Sequence, residues 1–411
     1  MKTVQQPRLA IDGGPAVRSS MLPYARQAVD EQDIRAVTEV LRGEWITTGP
    51  KVDAFEREVA DKVGARHAVS FSSGTAALHA AVFAAGLGHG DEAITSPLSF
   101  CATANALLYQ GVRPLFADVC EKTLTLDPDD VSRRMTPKVK AILPVDYGGH
   151  PADLDALLAL AQRHGLIVIE DACHALGARL NGRRVGGISH MTVFSFHPVK
   201  HITTGEGGMV TTNDPELARR LRLFRNHGID SEHRGSHAEG PWYYEMVALG
   251  FNYRLTDIGC ALGLSQLRRL SQTLARRRWI AARYTSAFHE LPGITLPASR
   301  PGVEPAWHLY VIRVNGPASA RARVFESLRA EGLGVNVHYI PIYWHPYYQQ
   351  LGYQRGSCPR AEAAYAQVIS LPLFPSMAEQ DVQDVISAVR KVTAALRQAP
   401  VAVAASIGHA A

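Results

Sequence analysis

Two segments of this chain hold side chains whose types and spacing could do chemistry. The first is Phe194-Ser195-Phe196-His197-Pro198-Val199-Lys200-His201-Ile202-Thr203-Thr204-Gly205-Glu206-Gly207-Gly208; the second is Ile169-Glu170-Asp171-Ala172-Cys173-His174-Ala175-Leu176-Gly177. Each ends an apolar, strand-like run and then turns abruptly polar. One delivers a lone lysine backed by glycine-rich chain, the other an acid at the strand end. A lysine of depressed pKa forms imines and, once released, serves as a general base. An aspartate can hold a protonated pyridine nitrogen and so keep a ring electron-withdrawing. These are the two protein groups that pyridoxal phosphate requires. The plainer alternatives are a loop lysine on the surface and an aspartate that caps a helix. His174, three residues beyond Asp171, could hydrogen-bond a ring oxygen or the aspartate itself.

A phosphate needs its own cradle. Ser73, Gly74 and Thr75 sit where a strand pattern becomes a helix pattern, a place where free N–H groups and the helix dipole favour an anion. Ser195 adds a hydroxyl. No GK[ST] follows, so this is not a Walker loop. Phe100, in Ser96-Pro97-Leu98-Ser99-Phe100, opens the next helix near the same crevice and offers an aromatic face for stacking.

The elements that must position these groups alternate. Apolar runs at residues 67–71, 92–96, 112–117, 139–145, 166–169, 191–196 and 208–212 read as strands, and stretches at 74–85, 100–109, 154–164 and 215–226 as helices. Alternation implies an α/β fold with a mostly parallel sheet covered on both faces. Ligands collect outside the carboxyl ends of such strands, where Asp171, Ser195 and the Gly74-Thr75 turn fall. Residues 230–244 read as a polar surface loop, and 262–288 as one long bridging helix. Arg276-Arg277-Arg278 in it read as a solvated face. After Trp307 a strand at 309–314, a helix at 320–331 and a strand at 335–339 suggest a smaller α+β domain. The expected division is 24–260 for a large domain and 261–397 for the bridging helix and small domain, with a frayed tail at 398–411.

The totals exclude several classes. The net charge of +5 is dispersed, without the aromatic-interleaved basic stripe that nucleic acid needs. The five cysteines are odd in number and lack CxxC spacing, which argues against a disulfide framework or zinc site. No signal segment or membrane-length apolar run is present, so a cytoplasmic protein without membrane contact is expected.

The ordered set SSGTAALHAA, TSPLSFCATANA, DACHALGA, SFHPVKHITTGEGGMV and GFNYRLTDIGCALGLSQL resembles the DegT/DnrJ/EryC1/StrS family of sugar aminotransferases, over nearly the whole chain. The resemblance implies the fold type I aminotransferase architecture and a homodimer with shared active sites. It implies Lys200 as the Schiff-base lysine, Asp171 as the pyridinium partner, His174 as a ring contact and Phe100 as the stacking aromatic. Gly74, Thr75 and Ser195, with Ser73, match the phosphate cradle, and Asn252 matches an asparagine that reaches the phosphate of the neighbouring subunit. Relatives that replace the lysine by histidine become dehydratases; the lysine here favours transamination.

A narrower resemblance, to the branch that makes the pseudaminic acid precursor, implies L-glutamate as donor. The implied acceptor is C4 of UDP-2-acetamido-2,6-dideoxy-β-L-arabino-hexos-4-ulose, in a ping-pong scheme. The implied product is UDP-4-amino-4,6-dideoxy-N-acetyl-β-L-altrosamine. The family pattern puts substrate contacts at Tyr24, Glu44, Trp45, Ile46, Thr47, His338, Tyr339, Ile340 and Pro341, and Arg254 is a candidate for a glutamate carboxylate. Glu44-Trp45 departs from the Lys-Gln of that branch, so a bacillosamine precursor or a dTDP-linked keto sugar remain alternatives. A cofactor-binding regulator without turnover is a third.

Overall fold

A computed structural model describes residues 8–230 and 240–396. Its main sheet has seven strands: β1 (His67–Phe71), β2 (Glu92–Thr95), β3 (Arg113–Phe116), β4 (Val139–Leu143), β5 (Ile167–Asp171), β6 (Met191–Ser195) and β7 (Gly208–Thr212), in the spatial order β1-β7-β6-β5-β4-β2-β3. From β3 through β6 every pairing is parallel. β7 runs antiparallel to both β6 and β1. Two reversals restore direction, so β1 points the same way as β5 and β6. The carboxyl ends of these three strands therefore lie along one edge, and Asp171 and Ser195 are the last residues of β5 and β6.

Near-continuous burial along these strands explains why they read as apolar runs rather than alternating ones. Helices cover both faces: α1 (Glu31–Arg42), α2 (Pro50–Val63), α3 (Gly74–Ala84), α4 (Ala102–Tyr109), α5 (Pro128–Arg133), α6 (Leu154–His164) and α7 (Pro215–Arg225). α3 is apolar all round and is the most deeply buried of them, packed between the sheet and α7. A second, antiparallel sheet (Ile294–Thr295, Tyr310–Val314, Val368–Leu371) carries its own core, with Tyr284, Ile312, Val385 and Val389 at its centre.

Four details depart from the sequence reading. The long bridging helix is two, α8 (Asp257–Arg268) and α9 (Leu270–Phe288), broken at Arg269. That guanidinium is drawn to Asp30, Asp33 and the Ala28 carbonyl. Arg277 is not on a solvated face: it is 1% exposed and donates to the carbonyls of Trp307, His308 and Leu373. Residues 335–339 form no strand; Asn336 makes one reciprocal backbone bridge to Ser370 before the chain turns across the crevice. Of the loop expected at 230–244 only Asp230 departs: Ile229–Asp230 pairs antiparallel with Glu245–Met246, while 240–244 carry no helix or strand. Residues 231–239 of that segment and the tail at 398–411 lie outside the described residues.

Gly149 locks the two sheets at the crevice. Its φ is +97°, and an added Cβ would lie 2.8 Å from the His174 carbonyl oxygen and 2.9 Å from the N atoms of Trp307 and His308. Left-handed backbone and backbone-to-backbone contact both demand glycine. Gly149→Ala should lose at least about 2 kcal/mol of unfolding free energy, from strain at positive φ added to overpacking. Urea denaturation followed by tryptophan fluorescence measures it; an unchanged midpoint would show that the backbone yields.

Candidate active site

The carboxyl edge of the main sheet opens into a cavity of about 600 Å³. Ser73, Gly74, Thr75, Phe100, Asp171, His174, Ser195 and Lys200 line it, and Tyr24, His338 and Tyr339 close it from the other side. Residues more than three hundred positions apart thus face one space. The strands supply the floor because parallel pairing aligns their ends. The segment after Asn336 supplies the opposite wall because its bridge to Ser370 and the Ile342 N–H bond to the Pro97 carbonyl pin it across the mouth.

Asp171 is buried at the floor, with Oδ2 accepting from Thr103 Oγ1 at 2.6 Å and Oδ1 from the Cys173 N–H at 3.2 Å. Thr103 is a member of the site that the sequence reading missed. Its hydroxyl sits one helical turn after Phe100, on the face of α4 toward β5, and that spacing was the available signal. Lys200 is half-buried as a residue, and close packing around its amine lowers its pKa. Cys173 and Asp171 pull it upward and the Arg277 charge pushes it further down. A lysine held below its usual value carries a larger neutral, nucleophilic fraction.

His174 is held far below the usual imidazole range, by burial first and then by the Lys200, His338 and His201 charges. Its Nε2 meets the Tyr339 hydroxyl at 3.1 Å, while its buried Nδ1 has no partner among the described residues. His308 packs against it with the rings tilted and their centroids 4.3 Å apart, and also lines the cavity. His308 was not singled out in the sequence, where nothing marks it. On the far wall His338 Nδ1 meets Ser370 Oγ at 2.7 Å, its carbonyl accepts from Tyr147 Oη, and its ring lies 5.4 Å from that of Tyr24.

The anion end is equally defined. Ser73 caps α3, its Oγ accepting from the Ala76 N–H at 3.1 Å. The N–H groups of Gly74 and Thr75 precede any intrahelical acceptor and stay free for a ligand. A Cβ on Gly74 would lie 3.0 Å from Ser195 Cβ, so only glycine leaves this turn and the Ser195 hydroxyl in contact. The set fits pyridoxal phosphate: anion donors at a helix start, a carboxylate at the floor, an orphan imidazole nitrogen for a polar ring substituent and a depressed lysine. Phe100, 60% exposed, presents its ring to the same space.

Other expected residues are elsewhere. Glu44, Trp45, Ile46, Thr47, Asn252 and Arg254 do not line the cavity of their own chain. Thr47 bridges Thr256, Asn252 bridges Asn226, and Arg254 Nη1 donates to Asn226 Oδ1 at 2.6 Å. Ile340 and Pro341 continue the far wall past Tyr339 without lining the cavity. Among the described residues no cluster of His, Cys, Asp or Glu could hold a metal, and no helix is long and apolar enough to cross a membrane.

This sheet, with a lysine and an aspartate at its carboxyl edge, is that of a pyridoxal-phosphate-dependent sugar aminotransferase. Residues 27–390 match the model of the DegT/DnrJ/EryC1/StrS aminotransferase family, and the chain belongs to that family. It is 44% identical over 380 residues to the spore coat polysaccharide biosynthesis protein SpsC of Bacillus subtilis, covering 91% of this chain and 98% of SpsC. Its fold is similar to that of Helicobacter pylori PseC, an aminotransferase involved in the biosynthesis of pseudoaminic acid. The TM-score is 0.86 at 33% identity, over 92% of this chain and all of PseC. The PLP-form of the putative sugar aminotransferase Spr1654 from Streptococcus pneumoniae gives a TM-score of 0.86 at 30% identity, over 92% of this chain and 99% of that one.

Several imidazoles around the cavity are kept neutral by burial. His174, His201 and His308 are held well below their ordinary value, and His338 is pushed down to about 4. Unfolded, each would titrate near about 6.5. Below that pH the unfolded chain binds protons that the folded one refuses. Their contribution to stability is therefore intact above about pH 6.5 and is lost as pH falls toward 4, by roughly 1 kcal/mol per pH unit for each group. Urea midpoints should drop between pH 7 and pH 5; a flat profile would contradict neutral burial.

Proposed function

We propose that the protein transfers the amino group of L-glutamate to C4 of a UDP-linked 4-keto-6-deoxy-N-acetylhexosamine, UDP-2-acetamido-2,6-dideoxy-β-L-arabino-hexos-4-ulose. The observation that carries the reading is the placement of Lys200 and Asp171 in one cavity with a free helix start. Pyridoxal phosphate, when bound, supplies the carbonyl that takes up the amine and the ring that stabilises negative charge at the substrate carbon. The Gly74 and Thr75 N–H groups with the Ser73 and Ser195 hydroxyls hold its phosphate. Asp171, fixed by Thr103 and the Cys173 N–H, holds its ring nitrogen, and Phe100 covers one face. His174, neutral and with a free Nδ1, contacts the ring oxygen.

Lys200 moves the proton. With the cofactor bound, its neutral amine would take the α-proton of glutamate, and in the second half-reaction it would deliver a proton to C4 of the sugar. Tyr24, His338 and Tyr339 form the wall against which the sugar lies, with Ile340 and Pro341 beyond. The similarity to PseC supports this choice of acceptor and pathway.

Asn252, Arg254 and residues 44–47 serve the partner's cavity in a homodimer. Two facts favour this: they are absent from the cavity of their own chain, and among them Trp45 is exposed, as is Leu249, three residues before Asn252. Exposed aromatic and aliphatic groups of this kind mark association surfaces. In this arrangement Asn252 reaches the partner's phosphate, Arg254 a carboxylate of glutamate, and Glu44, Trp45, Ile46 and Thr47 the nucleotide sugar.

Purified protein should carry a visible chromophore that L-glutamate bleaches. Lys200→Ala should lack that chromophore and lose at least about 100-fold in turnover. Product mass and NMR from UDP-linked 4-keto sugars of both C5 configurations identify the acceptor; turnover of only a dTDP-linked sugar would reject it. For the shared site, mixed dimers of Lys200→Ala and Asn252→Ala subunits should recover activity that neither variant has alone. No recovery on mixing would place Asn252 outside the partner's site.

A further inference from the structure

Behind Asp171 three buried polar atoms have no hydrogen-bond partner among the described residues: Asp146 Oδ2, Glu170 Oε1 and Ser189 Oγ. Asp146 follows β4 and Glu170 sits in β5 beside Asp171, and both residues are fully buried. Each carboxyl has one satisfied oxygen. Asp146 Oδ1 accepts from the Ala152 N–H at 2.9 Å, and Glu170 Oε2 accepts from Thr192 Oγ1 of β6 at 2.8 Å. The groups that face the pair from the neighbouring elements are the Asp171 carboxylate and the hydroxyls of Thr192 and Ser189. Among the described residues no lysine, arginine or histidine pairs with either acid.

Two ionised carboxylates cannot share a dry site without a cation. Burial raises both above the ordinary carboxylate range, and at Asp146, which is raised well above it, the facing Glu170 charge adds to the effect of burial. An orphan oxygen on each acid is what remains when one proton is left out of the count. Such a proton turns one orphan into a donor and the other into its acceptor.

We propose that Asp146 and Glu170 share one proton, with Asp146 Oδ2–H donating to Glu170 Oε1, and that this dyad positions Asp171. The dyad carries one proton and one negative charge. Its link to Asp171 is through the backbone. The Asp146 N–H donates to the Asp171 carbonyl at 3.0 Å, and the Asp171 N–H donates to the Pro144 carbonyl at 2.9 Å. The end of β4 and the end of β5 therefore move as one piece, and the acid pair fixes their separation. Its remaining charge adds to that of Asp171 at the floor of the cavity. Only this last role rests on the aminotransferase reading; the shared proton does not.

The test compares infrared difference spectra of the purified holoenzyme with those of Asp146→Asn. Wild type should show the carbonyl stretch of a neutral carboxylic acid, shifted in D2O and lost in Asp146→Asn. The asparagine keeps a donor to Glu170, so that variant should retain wild-type cofactor affinity. Asp146→Ala leaves Glu170 unpaired and should bind the cofactor roughly tenfold more weakly. Absence of the band in wild type, its persistence in Asp146→Asn, or equal loss of cofactor in both variants would each overturn the proposal. A protein that shows the band but does not respond to glutamate would refute the functional reading and leave the dyad standing.

Discussion

Everything at the site depends on the parallel pairing of β5 with β4 and β6. That register sets Asp171 at the same edge as Ser195, and it leaves the turn after β6 to bring Lys200 back over the floor. A slip of one residue would turn Asp171 to the other face of the sheet and put Glu170 in the cavity. The register is held from several directions. Backbone bonds tie Asp171 to Pro144 and Asp146, Thr103 holds its carboxylate, and Thr192 holds the neighbouring Glu170. Asp171 is thus placed by its neighbours on three strands and one helix.

The second constraint is dryness. Around Lys200 the structure collects His174, His201, His308 and the buried Arg277, none of which pairs with a carboxylate among the described residues. Burial keeps the imidazoles neutral and lowers the lysine, while Asp171 and Cys173 oppose that shift. The balance leaves the Lys200 amine below its usual value, so it gives up its proton more readily than a surface lysine does. Arg277 has a mechanical part as well. Its three carbonyl partners join α9, the Trp307-His308 corner and the chain after Leu371, so the helix that bridges the two sheets is fixed at the crevice.

Much of this was legible in the chain. The seven strands of the main sheet are short apolar runs bounded by turn residues, and both faces of each are covered, so periodicity and burial point to the same answer. The Ser73-Gly74-Thr75 turn, Asp171 and Lys200 were legible because each interrupts such a run with a group that an apolar core would not tolerate. Other features were not. Arg277 in a run of three arginines looks solvated, since nothing local announces the carbonyls of Trp307, His308 and Leu373 that satisfy it. The break at Arg269 follows from Asp30 and Asp33, which are more than two hundred positions away. Residues 335–339 alternate like a strand, but only one reciprocal bridge to Ser370 forms before the chain must cross the cavity.

The sequence by itself determined the strands of the main sheet, the α/β class and the family, and it named the candidate site residues, because local periodicity, turn chemistry and ordered motifs are written in neighbouring residues. The tertiary structure alone decided which of those residues face one another. It placed Thr103 on Asp171 and His308 on His174, buried Arg277, and left Asn252, Arg254 and residues 44–47 off their own cavity. The physical reason is that a side chain's hydrogen-bond partner, its desolvation and hence its protonation are set by groups distant in sequence. Strand register and helix packing bring those groups together, and no local pattern encodes them.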